Sequence, residues 1–309
     1  MVEVLVGIPT FRRPKGLARL LEGLAKLETE AHVSILVVDN DSVGQAGNAL
    51  CEKLRKANYR WPLQAIIVAE RGIAQARNAL VERALANSQA EFIAMLDDDE
   101  WPDSNWLNAF LRVLQQTSAD AVHGAVVRRF EADPGAWASR CPVIAPLRGR
   151  TGPIEMIHST SNIILSRDRL ERTKRPWFDP MFALTGGEDK EFFTRMRLSG
   201  ARFAWADDAI VFAEVPASRS KLTWVLKRSY RVGNSDMRVL LKYERSARIL
   251  AFEAAKIVGV ALLSPLQLVM QATSPGARTA VLCRLWRAAG KIAAVCGSHF
   301  NEYETVHGS

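Results

Sequence analysis

EFIAMLDDDEWPDSNWL, residues 91–107, runs from a short apolar segment straight into four consecutive carboxylic acids. The apolar part, 91–96, has the length of a buried strand, and Asp97, Asp98, Asp99 and Glu100 then stand at its carboxyl end. Three earlier segments repeat the arrangement. Residues 2–8 (VEVLVGI) end at Pro9 and Thr10, 33–39 (VSILVVD) end at Asp39, Asn40 and Asp41, and 63–69 (LQAIIVA) end at Glu70 and Arg71. Helical patterns lie between them: Leu17, Leu20, Leu21, Leu24 and Leu27 recur at three- and four-residue spacing, and 73–86 also reads as a helix. Strands alternating with helices predict an α/β fold whose mostly parallel sheet is covered on both faces. Ligands bind such sheets beyond the carboxyl ends of the strands, where all four polar clusters fall.

Further along, a helix over 104–116 is followed by strand-like segments at 121–130 and 160–166, separated by the Pro/Gly/Arg-rich CPVIAPLRGRTGP. This predicts a smaller antiparallel extension carrying a mobile loop. A helix over 188–198, two short strands at 202–206 and 209–214, and a basic helix over 221–248 complete the body. The apolar tail, 249–270, is interrupted by Glu253, Lys256 and Pro265. It suits a spanning helix poorly, and a helix in a membrane interface or one packed on the body better.

With 309 residues, 48% hydrophobic and 24% charged, the chain has the core-forming capacity of a globular protein, which excludes the disordered and fibrous classes. Its start, MVEVLVGIPTF, lacks the basic region of a cleaved signal peptide, so a cytoplasmic location is expected. The cysteines (Cys51, Cys141, Cys283, Cys296) have no C-x-x-C spacing, against a zinc site, redox pair or disulfide framework. The net charge of +8 is concentrated late: residues 215–300 hold 14 Lys and Arg against three acids. Such a segment suits nucleic acid, anionic lipid or a phosphorylated substrate. Neither interleaved aromatic and basic platforms nor a helix-turn-helix pattern accompanies it, so no nucleic-acid partner is expected.

The first strand is followed by GIPTFRRPKG, which is neither G-x-G-x-x-G nor the P-loop pattern, so hydride transfer and P-loop hydrolysis lose their main support. Adjacent carboxylates raise each other's pKa unless a cation offsets them, so an acidic run at a strand end suits Mg²⁺ or Mn²⁺ held together with substrate phosphates. The competing reading is a solvated turn in which Asp103 or Ser104 caps the next helix.

Five segments in order, IPTFRRP, VVDNDS, RGIAQARN, MLDDDEWP and GGEDKEFF, resemble a family 2 glycosyltransferase of the GT-A fold over residues 2 to about 215. WVLKRSYRVGNS and AGKIAAVCG are similar to the tails of bacterial exopolysaccharide glycosyltransferases. The resemblance implies a catalytic domain over 1–217, with a nucleotide-sugar half (1–118) and an acceptor half (119–217), and a basic, membrane-associating helical region over 218–309. It implies inverting transfer from a nucleotide sugar, usually a UDP-sugar, with a bound Mg²⁺ or Mn²⁺.

Carried over to this chain, the resemblance puts the nucleotide at Pro9 and Thr10, with Asp39 on the uracil or ribose and Arg71 at the base or diphosphate. The D-x-D pattern maps onto Asp97, nearer the ribose, and Asp99, on the metal. Asp98 leaves the register open, since a one-residue shift makes Asp98 and Asp99 the pair. Glu100 reads as the start of the next loop. Asp189 matches the general base, beside Glu188, and Glu214 stands where many relatives carry a metal- or diphosphate-holding histidine. Arg77 and Asn78 are candidates for the diphosphate side, as are Arg228 and Arg231, which share a helix face. The Q-x-x-R-W motif of processive synthases is absent, favouring addition of one sugar. The expected acceptor is a lipid-diphosphate-linked oligosaccharide, met at the inner leaflet by a cytoplasmic, peripherally bound enzyme. A polyprenyl-phosphate sugar synthase and a non-catalytic basic binding module are the alternatives.

Overall fold

The computed structural model describes residues 1–183, 185–244 and 246–298. At its centre β1 (Glu3–Thr10) lies between β2 (His32–Asp39) and β4 (Phe92–Met95), and β2 carries β3 (Leu63–Ile67) on its far side, all parallel. The crossovers are α1 (Pro14–Ala25), α2 (Ala46–Lys56) and α3 (Ile73–Asn87). Side chains alternate between two cores: Val4, Val6 and Ile8 meet Leu17, Leu20, Leu21 and Leu24 of α1, whereas Leu5 joins Leu80 and Val81 of α3 on the opposite face. Each of those α1 leucines is fully buried. At roughly 1.5–3 kcal/mol per buried leucine, this stripe anchors α1 to the sheet. Helix α2 escaped the sequence reading because it buries only Gly47 and Cys51 and so shows no apolar period.

Register decides where the polar clusters go. Thr10 pairs with Asp39 and Asp39 with Ile67, while Gly7 pairs with Met95, so the strand ends and the acidic run after β4 finish at one sheet edge. Beyond β4 the sheet becomes mixed. β8 (Ile163–Ser166) is antiparallel to β4 and to β6 (Ala121–Phe130), and β9 (Phe203–Val215) is parallel to β6. β5 (Glu100–Pro102) and β7 (Gly152–Ile154) pair antiparallel with β9. Among the described residues the nine strands form a single sheet, and α4 (Trp106–Thr117), α5 (Arg167–Arg172) and α6 (Glu188–Leu198) complete the α/β body.

Several boundaries differ from the sequence reading. The two short strands expected at 202–206 and 209–214 are one strand, β9, with a shift of register opposite Gly124 and Ala125. Asn162 spans that irregularity: its side-chain amide donates to the carbonyls of Ala125 and Ala209, both at 2.8 Å, and its Oδ1 accepts from Trp106 Nε1 at 2.7 Å. The stretch expected as a mobile loop is pinned by β7, by a bridge between Val126 and Leu147, and by Asp207, which accepts from Arg148 and from the Gly149 amide. Glu100 opens no loop; it pairs with Ala213 in β5.

The basic helix expected over 221–248 ends earlier, as α7 (Leu222–Tyr243), and α8 (Ala247–Met270) and α9 (Pro275–Val295) follow. Residues 299–309 of the C-terminal region lie outside the described residues. α7 and α9 cross in backbone contact, because a Cβ on Gly233 would fall 1.9 Å from the Arg287 carbonyl oxygen and one on Gly290 1.9 Å from that of Tyr230. Pro265 sits inside α8 without ending it. By length and composition α8 does qualify as a candidate span: it has 24 residues, a mean hydropathy of 1.8 over its best window, and 6% of that window buried.

Candidate active site

A cavity of about 340 Å³ opens at the sheet edge where β1, β2 and β4 end. Among the described residues its wall carries five acids, Asp97, Asp98, Asp99, Glu100 and Glu214, and six arginines, Arg13, Arg71, Arg77, Arg128, Arg219 and Arg228. A wall with so many guanidinium groups favours an anionic ligand with several oxygens.

The acidic run divides by direction. Asp98 is turned inward: its Oδ2 accepts from Thr10 Oγ1 at 2.9 Å and from the Phe11 amide at 3.4 Å, and its Oδ1 accepts from Arg13 at 3.0 Å. Burial, with Asp99 adding to it and Arg13 opposing, pushes the Asp98 carboxyl up to about 6. Asp97 and Asp99 have 38% and 28% of their side chains exposed, against 8% for Asp98, so they are the pair open to the cavity. Asp99 Oδ2 accepts from Arg13 at 3.1 Å and Arg219 at 3.3 Å. Glu100 is buried, accepts from the Asp97 amide at 3.3 Å, and has its pKa raised well above the carboxylate range by burial and by Asp97 and Asp99. The loop is seated by Gly16 of α1, where a Cβ would lie 2.3 Å from the Asp98 carbonyl oxygen.

Around the nucleotide-side candidates, Pro9, Thr10 and Arg71 line the cavity, and the Arg71 guanidinium lies 5.0 Å from the centroid of the Phe11 ring. Asp39 does not line it. Its two oxygens accept from the amides of Asp41 and Asn48, both at 3.0 Å, so it organises the turn into α2. The neighbouring Asn40 does line the cavity, and it donates to the carbonyls of Val68 and Glu70 and accepts from the Gly72 amide, fixing the Arg71 loop.

Glu188 and Asp189 open α6 after Gly187, whose φ of 104° puts it in left-handed backbone. Arg77 joins them to the acidic run. One nitrogen donates to Glu188 at 2.7 Å and Asp189 at 2.6 Å, and the other reaches Asp97 at 3.3 Å. Asp189 also accepts from the Thr160 hydroxyl at 2.9 Å and amide at 3.3 Å. Glu188 is buried, its Oε2 has no hydrogen-bond partner among the described residues, and burial, then Asp189, raise it to about 7 against the pull of Arg77. Glu214 lines the cavity, and its amide donates to the Asp99 carbonyl at 3.2 Å, but its carboxylate is ion-paired with Arg19, which stacks 4.1 Å from the Trp101 centroid. Arg228 and Arg231 are separated in role: Arg228 lines the cavity, whereas Arg231 is buried against Gly186.

Arg13, Arg128, Arg219 and Phe11 are site residues that the sequence reading passed over. Arg13 and Phe11 stand within the IPTFRRP segment, and that was the available signal; Arg128 and Arg219 carry none.

The family model for glycosyl transferase family 2 matches residues 5–175, more than half of the chain. The chain belongs to glycosyltransferase family 2. As a family 2 glycosyltransferase it is an enzyme, and the non-catalytic reading falls. It is 33% identical, over 80% of its own length and 78% of the relative's, to the succinoglycan biosynthesis protein ExoM of Rhizobium meliloti (strain 1021). Among solved structures, the mannosyltransferase PcManGT of Pyrobaculum calidifontis, in complex with GDP-Man and Mn²⁺, superimposes with a TM-score of 0.62 at 18% identity, covering 94% of this chain and 86% of that one. The S. aureus TarS 1-349 complex with UDP-GlcNAc gives 0.52 at 15% identity, over 96% and 93%. The chain spans 55% of the length of the longer TarS structure. Both neighbours are GT-A glycosyltransferases, and this glycosyltransferase shares their fold.

The donor set at the open end of the acidic run consists of hard oxygens. Asp97 and Asp99 supply two carboxylates, as Mg²⁺ or Mn²⁺ takes when phosphates and water complete its shell. Among the described residues no group of three or more His, Cys, Asp and Glu side chains forms a protein-only cage. Two part-exposed carboxylates, Asp97 and Asp99, fit a cation whose remaining ligands come from a phosphorylated donor.

Proposed function

We propose that this enzyme transfers one sugar, with inversion, from a UDP-sugar to a lipid-diphosphate-linked oligosaccharide in surface polysaccharide synthesis, working at the cytoplasmic face of a membrane. The observation that carries the chemistry is the Arg77 bridge, because it joins the candidate base, Asp189, to the donor-side carboxylate, Asp97, through one buried guanidinium.

In this reading Asp189 takes the proton from the acceptor hydroxyl as that oxygen attacks the anomeric carbon, while the bond to the UDP oxygen breaks on the opposite face. Asp189 suits the task because Arg77 and Thr160 orient it and leave it 19% exposed at the side chain. Asp97 accepts from the ribose, Phe11 and Arg71 flank the base, and Arg71 with Arg228 neutralises the diphosphate. Asp97 and Asp99 would hold Mg²⁺ or Mn²⁺, which supplies charge stabilisation at the leaving diphosphate. Glu188, its carboxyl raised to about 7 by burial and then by Asp189, is only partly ionised at neutral pH and so sets less than a full second negative charge beside Asp189. The polysaccharide pathway is supported by likeness to a succinoglycan biosynthesis protein.

A thermal-shift panel of nucleotide sugars, with and without Mn²⁺, tests the donor. A UDP-sugar is expected to raise Tm more with Mn²⁺ than without, and failure of every UDP-sugar to do so refutes the donor assignment. An Asp189→Asn variant is expected to keep that shift and lose transfer; loss of the shift instead would make Asp189 a ligand rather than the base.

A further inference from the structure

Outside the cavity, the feature that glycosyl transfer leaves unused is the outer face of α8. At about 100° per residue, Phe252, Val258, Leu262, Leu263, Leu266 and Val269 share one broad arc, and they are 54% to 74% exposed. Single exposed apolar side chains are ordinary, but a continuous stripe along a whole helix marks an interaction surface.

Among the described residues the inner face of α8 is held to α9 at two places. Near one end Glu253 accepts from Lys291 at 2.6 Å, and towards the other end, three residues past the buried Ser264, Gln267 accepts from Arg284 at 3.0 Å. α9 is in turn locked to α7 at the Gly233 and Gly290 crossing, where Asn234 donates to the Gly290 and Ser298 carbonyls. α9 carries Arg278, Arg284, Arg287 and Lys291 and no acid. A crossing α8 would have to shed these contacts or draw those cations into hydrocarbon, and both are costly.

We infer that α8 is a monotopic docking helix lying in the plane of an anionic bilayer, its outer arc in the acyl region and the neighbouring cations at the headgroups. Charge selects this occupant. Residues 247–295, which form α8 and α9, hold six basic residues against one acid and complement an anionic leaflet, whereas a second copy paired through the same face would bring like charges together. The inference deepens the membrane part of the proposed function and is independent of the sugar and of Asp189. α7 links the two regions, since its first turns carry Trp224 and Arg228 at the cavity and its later turns grip α9.

Flotation of the full chain with phosphatidylcholine vesicles, with and without phosphatidylglycerol, tests docking. Binding is expected with phosphatidylglycerol, weakened by salt, and reduced about tenfold or more by Leu262→Glu with Leu266→Glu. Orientation is read by nitroxide labels at Phe252→Cys, Leu262→Cys and Val269→Cys in a Cys296→Ser background. An in-plane helix gives all three labels similar depth, whereas a crossing helix separates the outer two by about 25 Å at 1.5 Å per residue. No flotation overturns the inference, as does a graded depth. A dimer that the double substitution splits, without flotation, also overturns it in favour of a second copy. The nucleotide-sugar thermal shift, run on each variant, reports the donor site separately, so failure of docking and failure of the transferase reading are distinguishable.

Discussion

Substituting Glu188 by Gln removes a titrating group that the fold holds in its neutral form. In the native state its carboxyl is raised from 4.5 to about 7, first by burial and then by Asp189, with Arg77 opposing. Between those values the native state keeps a proton that the unfolded chain has released. The native state therefore binds more protons there, and stability falls as pH rises from about 4.5 through about 7, then levels. At about 1.4 kcal/mol per unit, the loss amounts to roughly 3 kcal/mol. Glutamine mimics the protonated form without titrating, so Glu188→Gln should gain about 2.5 kcal/mol on the wild type between about pH 5 and pH 8. Urea unfolding of both proteins across that range measures it. Taking the difference cancels most of the other shifted groups, including Asp98, raised to about 6, and His123, lowered to about 4 by burial. A difference that stays constant within about 0.5 kcal/mol refutes a native-state Glu188 that is neutral at pH 6.

Asp99→Asn should abolish the Mn²⁺-dependent part of the donor thermal shift while leaving the melting temperature of the free protein close to wild type, because this carboxylate faces the cavity. Arg77→Leu strips the counter-charge from buried Glu188 and from Asp189, and should cost about 3–5 kcal/mol at pH 8 and less at pH 5, measured by urea unfolding. Gly16→Ala puts a methyl group 2.3 Å from the Asp98 carbonyl oxygen. It should destabilise by about 1–3 kcal/mol and weaken the donor shift, whereas Lys15→Ala on the same turn should do neither.

The parallel half of the sheet was legible because its information is local. Runs such as ILVVD in β2 are apolar on both faces only where both faces are covered, and the leucine spacing of α1 reports a helix against that sheet. The acids at the strand ends were legible for the same reason, and so was Asp189 behind its two glycines. α2, with one glycine and one cysteine buried, carried too little periodicity to be seen. The continuity of β9 depends on Asn162, roughly 40 residues away in sequence, supplying hydrogen bonds that the strand lacks where its register slips.

Sequence alone determined the fold class, the edge of the sheet that holds the site and the family, since each rests on patterns a few residues long. Tertiary structure decided what the charges do. Four adjacent acids look equivalent in a row, but Asp98 and Glu100 turn inward while Asp97 and Asp99 open to the cavity, because Thr10, Gly16 and β9 close on alternate sides of the loop. Arg13, Arg77 and Arg219 became their counter-ions only when α1, α3 and the end of β9 were brought to one edge. Coulomb energy depends on separation in space and on burial, and neither is a property of position along the chain.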